Sequence, residues 1–179
     1  MSNPPPEPMD QRHTLVALYD DALPDVYGYL VARCGSSALA EDLTSETFLA
    51  AVDAVRRDTV PELSVAWLIG VARNKLVDHW RRREREERML RAVEAPAADA
   101  GIDEWDVNLD AMVAQATLAE LGAHHRSALT LRYLDGLPVR EVAGHLGRTV
   151  GATEVLLVRA KAAFRANYAD VADAGVRDR

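Results

Sequence analysis

At 179 residues the chain has room for one domain or two small ones. Apolar residues make up 49% of it and aromatics only 6%, and the heavy share of Ala, Leu and Val favours helix over sheet. A single cysteine, Cys34, excludes an internal disulfide and a cysteine metal cluster; no run is apolar enough to span a membrane; and the net charge of −7 hides two basic segments, residues 67–91 with eight bases to four acids and residues 140–165 with five to two.

Residues 1–10 are proline-rich, lack the positive-then-apolar pattern of a signal peptide, and read as a disordered tail on a cytoplasmic protein. Leu15, Leu18, Ala22, Val26 and Leu30 recur at helical spacing, which predicts a first helix from about Gln11 to Cys34. Pro24 lies inside it and should kink it or mark a late start. Cys34 itself reads as a small buried hydrophobe. After Gly35-Ser36-Ser37, a second helix begins near Ala38 with Leu39, Leu43, Ala50, Ala51 and Ala54 as its stripe. Asp58-Thr59-Val60-Pro61 breaks the chain, and Ser64 is placed to cap a third helix running through Trp80 into Arg81-Arg82-Arg83-Glu84-Arg85.

At about 100° per residue, Val65, Leu68, Ile69, Ala72, Leu76 and Trp80 share one face of that third helix. Gly70, Asn74, Asp78, Arg81 and Arg82 gather on the other, with Trp67 and Val71 among them. Those two residues are either a second packing surface or a platform on which an unpaired base stacks. Residues 92–111 form an acidic linker carrying Asp99, Asp103, Glu104, Asp106 and Asp110, and its stretch 94–106 has no helical period. From Val107 the helical pattern resumes: Leu109, Met112, Val113, Ala116 and Leu121 mark one helix and His124–Leu134 the next, with a turn at Asp135-Gly136-Leu137-Pro138.

Val139 to Thr153 then reads as a helix-turn-helix. A short helix with Ala143 at its crossing point stops at Gly147, where glycine tolerates positive φ, and Thr149 caps a basic helix over Thr149–Arg165. Such a unit is built to lay one helix in a DNA groove. The fold class is therefore all-α, two small helical domains joined by a flexible acidic linker. The domains are expected at 11–91 and 112–166, with a C-terminal tail over 167–179.

Ala40-Glu41-Asp42-Leu43-Thr44-Ser45-Glu46-Thr47-Phe48-Leu49 and Trp67 through Arg82 resemble successive helices of region 2 in bacterial sigma factors. Tyr133-Leu134-Asp135-Gly136-Leu137, Glu141-Val142-Ala143 and Arg159-Ala160-Lys161 resemble region 4. Their order and short linker are similar to the extracytoplasmic-function (ECF) group of the sigma-70 family. The resemblance implies that Glu41, Asp42, Thr44, Ser45, Glu46, Phe48 and Leu49 dock on the clamp helices of the polymerase β′ subunit. Phe48 is either core or the apolar part of that dock, and Asp42 and Glu46 lack the pocket a catalytic acid pair needs.

By the same resemblance, Arg73, Asn74, Lys75, Asp78, His79, Arg81 and Arg82 meet the −10 promoter element. Asn74 contacts a non-template base that has left the duplex, since a carboxamide both donates and accepts. The loop Asp58–Leu63 helps form its pocket, and the arginines hold phosphates. The basic helix enters the −35 major groove with Arg148, Thr149, Gly151, Glu154, Val155, Leu156, Arg159 and Lys161. Thr153-Glu154-Val155-Leu156 departs from the usual pattern there, and Glu154 accepts from cytosine N4 while repelling phosphates. The linker imitates RNA charge in the polymerase cleft or is an ordinary solubilising segment.

Partners implied are core RNA polymerase through its β and β′ subunits, promoter DNA and an anti-sigma factor, without membrane insertion. No phosphate-binding Gly loop, Cys/His metal spacing or nucleophile motif is present, so neither enzyme activity, cofactor nor metal is expected. The alternative reading is a helix-turn-helix regulator that binds operator DNA without polymerase.

Overall fold

The computed structural model describes residues 11–90 and 111–177, all of them in helices and short connections. The acidic linker and the first ten residues lie outside the described residues. The chain divides into two compact units, Met1–Lys75 and Leu76–Arg179.

In the first unit, α1 spans Gln11–Cys34 and packs along α2, Ser37–Arg56. Leu15, Ala22, Val26, Leu30 and Cys34 are buried along one side of α1, at the steps of four and seven that align positions on a helix. Pro24 neither delays nor ends α1, which continues through it. Its ring is exposed, so the carbonyl that loses its N–H partner is on the side water can reach.

The second helix buries Ala40, Leu43, Thr44, Thr47, Phe48, Ala51 and Val55. Its buried threonines are satisfied locally: Thr44 Oγ1 donates to the Ala40 carbonyl and Thr47 Oγ1 to that of Leu43, both at 2.7 Å. The hydroxyls thereby enter the core without an orphaned polar group. Ser36 caps α2 by accepting from the Leu39 N–H at 3.4 Å. Past Arg56 the chain reverses at Asp58, whose φ of +53° is a left-handed conformation that aspartate tolerates better than most.

Helix α3, Val65–Leu90, starts as expected, with Ser64 Oγ accepting from the Trp67 N–H at 3.2 Å. Leu68, Ala72, Leu76, Val77 and Trp80 are buried, while Val65 and Ile69 of the expected stripe are half-buried. Its C-terminal half belongs to the second unit.

There, α4 (Ala111–Glu120), α5 (Ala123–Leu129) and α6 (Val139–Leu146) all pack on α7 (Val150–Arg177). Leu121, Leu129, Ala160 and Phe164 form one buried cluster, and Ala128, Leu156 and Leu157 another. The helix expected over His124–Leu134 is α5 ending in a π turn, Thr130–Leu134, closed by the Asp135 N–H on the Thr130 carbonyl at 3.0 Å. Residues expected to form a C-terminal tail continue α7 as far as Arg177.

Candidate nucleic-acid interface and apolar groove

Three surfaces carry the residues singled out in the sequence. The first is a groove of about 620 Å³ between α1 and α2. Tyr19 and Phe48 meet across it with ring centroids 4.7 Å apart and planes tilted by 60°. Phe48 is 8% exposed, so it belongs to the core while also lining the groove. Leu49 at 67% and Val16 at 75% exposure stand on its walls, with Val52 beside them. Apolar side chains exposed side by side over one concavity make it a candidate surface for a partner.

Glu41, Asp42, Ser45 and Glu46 are exposed on α2. Thr44 is not: it is buried, lines the groove only at depth, and spends its hydroxyl on Ala40. Ser45 Oγ likewise donates to the Glu41 carbonyl at 3.1 Å. Sequence periodicity did not reveal the α1 wall of Val16, Tyr19 and Leu23. Those residues stand on a helix read only for its core stripe, and one helix alone does not show which neighbour leaves a gap.

The second surface runs along α3. Asn74 and Asp78 are exposed, Arg82 is exposed, and Arg73, Lys75, His79 and Arg81 are half-buried. Trp67 and Val71 are half-buried on the same helix. Lys75 Nζ lies 3.6 Å from Glu46 Oε2, so one residue expected on DNA is paired with one expected on polymerase. Along the helix, Arg81 pairs with Asp78 at 3.9 Å and Arg83 with Glu86 at 3.8 Å. Exposed pairs of this kind contribute about 0–1 kcal/mol, too little to keep the arginines from phosphates.

The third surface is the helix-turn-helix. Gly147 has φ of +64°, and the Arg148 N–H reaches back to the Ala143 carbonyl at 2.9 Å, the Schellman closure of a helix C-terminus. Thr149 Oγ1 then accepts from the Ala152 N–H at 3.2 Å and caps α7. This geometry makes Thr149→Ala cost about 1 kcal/mol of stability whereas Thr149→Ser keeps the cap, a difference that paired thermal melts read.

Thr149 at the cap and Gly151, Glu154, Val155 and Arg159 on α7 are exposed, and Lys161 is half-buried. Arg148 is half-buried and ion-paired to Glu84. Leu156, expected among the base contacts, is instead 7% exposed within the cluster of Ala128 and Leu157, so its side chain is core. Thr153, also buried, donates to the Thr149 carbonyl at 2.9 Å. The spacing 153, 156, 157, 160, 164 is itself a helical stripe and carried the signal that Leu156 faces inward. His124 and His125 were also missed; they line a concavity with Arg148 and Arg159.

Among the described residues no cluster of His, Cys, Asp or Glu is placed to hold a metal, and no helix is long and apolar enough to cross a membrane.

The sigma-70 region 2 family model matches residues 18–86, and the model of sigma-70 region 4 matches 111–164. The ECF RNA polymerase sigma factor SigL of Mycobacterium tuberculosis is 32% identical over 157 residues, covering 83% of this chain and 85% of SigL. The ECF RNA polymerase sigma factor BldN of Streptomyces coelicolor is 34% identical over 147 residues, covering 80% of this chain but 56% of BldN. Among solved structures, the sigma factor RpoE of Bartonella quintana, in complex with the anti-sigma factor NepR, has the same fold. Its TM-score is 0.51 at 22% identity, over 88% of this chain and 96% of that one.

Proposed function

Since the chain belongs to the ECF group of the sigma-70 family of RNA polymerase sigma factors, we propose that it binds core polymerase through the α1–α2 groove and directs it to promoters through α3 and α7. The observation that carries this reading is the groove itself: Leu49, Val16 and Tyr19 are exposed over one cavity beside the acids of α2. An apolar centre with a charged rim is the anatomy of a protein interface. In this reading a polymerase clamp helix lays apolar side chains along the groove and basic ones against Glu41 and Asp42.

The two DNA-facing helices divide the remaining work. Asn74 on α3 receives a base that has left the −10 duplex, while Arg81 and Arg82 hold phosphates and fix the strand. On α7, Thr149, Gly151, Glu154 and Val155 face the −35 groove, with Arg148, Arg159 and Lys161 toward the backbone. Opening draws on binding energy alone: bases held outside the duplex are no longer available to re-pair. The functional regions 11–91 and 112–166 belong to this reading, with residues 76–90 of the first belonging to the second compact unit, as does a place in the cytoplasm, where polymerase and promoter DNA are met. An anti-sigma factor covering the exposed apolar groove belongs to it as well.

A stand-alone operator-binding regulator is not favoured, because it has no use for region 2 beside region 4. Tagged protein mixed with core polymerase tests the proposal by pull-down. Retention of β and β′ is the expected result. Duplex binding that is specific in the free protein and unchanged by core polymerase, with no polymerase retained, is the opposite one.

A further inference from the structure

A concavity of about 440 Å³ opens at the start of α7, lined by His124, His125, Arg148, Gly151, Ala152 and Arg159 among others. The two imidazoles face one another with centroids 4.0 Å apart and a 42° tilt. Two arginines and two histidines, all with N–H donors, thus line one opening at the first turn of α7. One of these arginines already holds an anionic oxygen. Glu84, on the C-terminal half of α3 and in the same compact unit, places Oε1 2.5 Å from Arg148 Nη2.

Two further contacts come from the same α3 face. Arg81 Nη2 lies 3.1 Å from the position a Cβ would occupy on Gly147, and Glu87 Oε2 accepts from the Ala123 N–H at 3.4 Å. Residues 81, 84 and 87 repeat every three positions and so lie along one side of the helix. Glu84 is only 19% exposed and shares its Oε1 with Arg88, also at 2.5 Å.

We propose that this concavity seats one backbone phosphate of duplex DNA, and that the Glu84 carboxylate holds the seat until DNA displaces it. The inference rests on the reading that α7 meets upstream DNA. A carboxylate and a phosphate offer Arg148 the same charge-assisted contact, and a phosphate has oxygens left over for His124, His125 and Arg159. Glu84 loses little when displaced, because Arg88 stays beside it. The exchange is one anion for another, so Glu84 tunes the affinity of free protein for DNA rather than abolishing it. The histidines add donors to a site whose sequence-neutral grip sets the position of α7.

The experiment measures full-length protein binding a short labelled duplex by fluorescence anisotropy across a salt series. No promoter sequence is needed, since phosphate contacts are sequence-neutral. E84Q is expected to bind about five-fold more tightly with a salt slope close to that of the wild type, because the same phosphate is seated in both proteins and only the competing carboxylate is gone. A gain of affinity does not arise from misfolding. E86Q, which removes an exposed acid from the same helix, supplies the general charge effect and should fall well short of E84Q. The gain should vanish in E84Q/R148Q, and H124Q/H125Q should weaken binding in both the wild-type and E84Q backgrounds.

E84Q indistinguishable from E86Q, a gain that survives R148Q, or H124Q/H125Q without effect overturns the inference. R159Q separates the two levels. If it weakens binding while E84Q behaves as E86Q, only the seat fails. If R159Q and R148Q both leave duplex binding unchanged, the reading of α7 as the DNA helix fails with it.

Discussion

Leu49→Asp is expected to eliminate capture of core polymerase while leaving the fold intact. Leu49 is 67% exposed on α2 and contributes no core packing, so the substitution should change stability by no more than about 0.5 kcal/mol. At the interface it does two things. It removes an apolar anchor from the groove wall, and it adds a carboxylate that must be desolvated beside Glu41, Asp42 and Glu46. A loss of about 2–4 kcal/mol corresponds to roughly 30- to 1,000-fold weaker binding. Titration of labelled core polymerase with wild-type and variant protein, alongside a thermal melt, reads both quantities. Undiminished affinity would mean that polymerase binds elsewhere. Phe48→Ala is the less informative variant, since a side chain 8% exposed supports the core and its loss costs about 3–5 kcal/mol of stability.

Asn74→Ala should have the complementary effect: polymerase binding unchanged and promoter opening impaired. Asn74 is exposed on α3, and its deletion leaves no cavity. If its carboxamide pairs with a flipped base, the lost contact is worth about 1–3 kcal/mol, or roughly 5- to 150-fold in the yield of open complex. Permanganate reactivity of promoter thymines in the reconstituted holoenzyme reports opening directly. Normal opening by the variant would remove Asn74 from the base pocket. Lys75→Ala offers a milder comparison, because Lys75 pairs with Glu46 at 3.6 Å and part of its role is spent there.

Local rules made much of the architecture legible. The first helix follows from its apolar spacing, Ser64 and Thr149 act as caps because their hydroxyls accept from the following turn, and Gly147 ends α6 because it adopts positive φ. Family resemblance then assigned both regions. What escaped the sequence is what depends on a second element. Pro24 lies inside α1 as the apolar spacing placed it, but the exposure of its ring is a fact of packing rather than of propensity. Leu156 was placed on DNA by family position, and its neighbours Ala128 and Leu157 claim it for the core. The α1 wall of the groove and the pairing of Glu84 with Arg148, 64 positions away, have no local signature at all.

Whether this chain gives promoter specificity to polymerase is tested most directly by transcription in vitro. Core polymerase lacking any other sigma factor is combined with the purified protein and fragmented host DNA, and transcript 5′ ends are mapped. Discrete starts that share −10 and −35 elements, require the added protein and disappear with Leu49→Asp are the result expected. Starts that are absent, or scattered as they are with core polymerase alone, would contradict it.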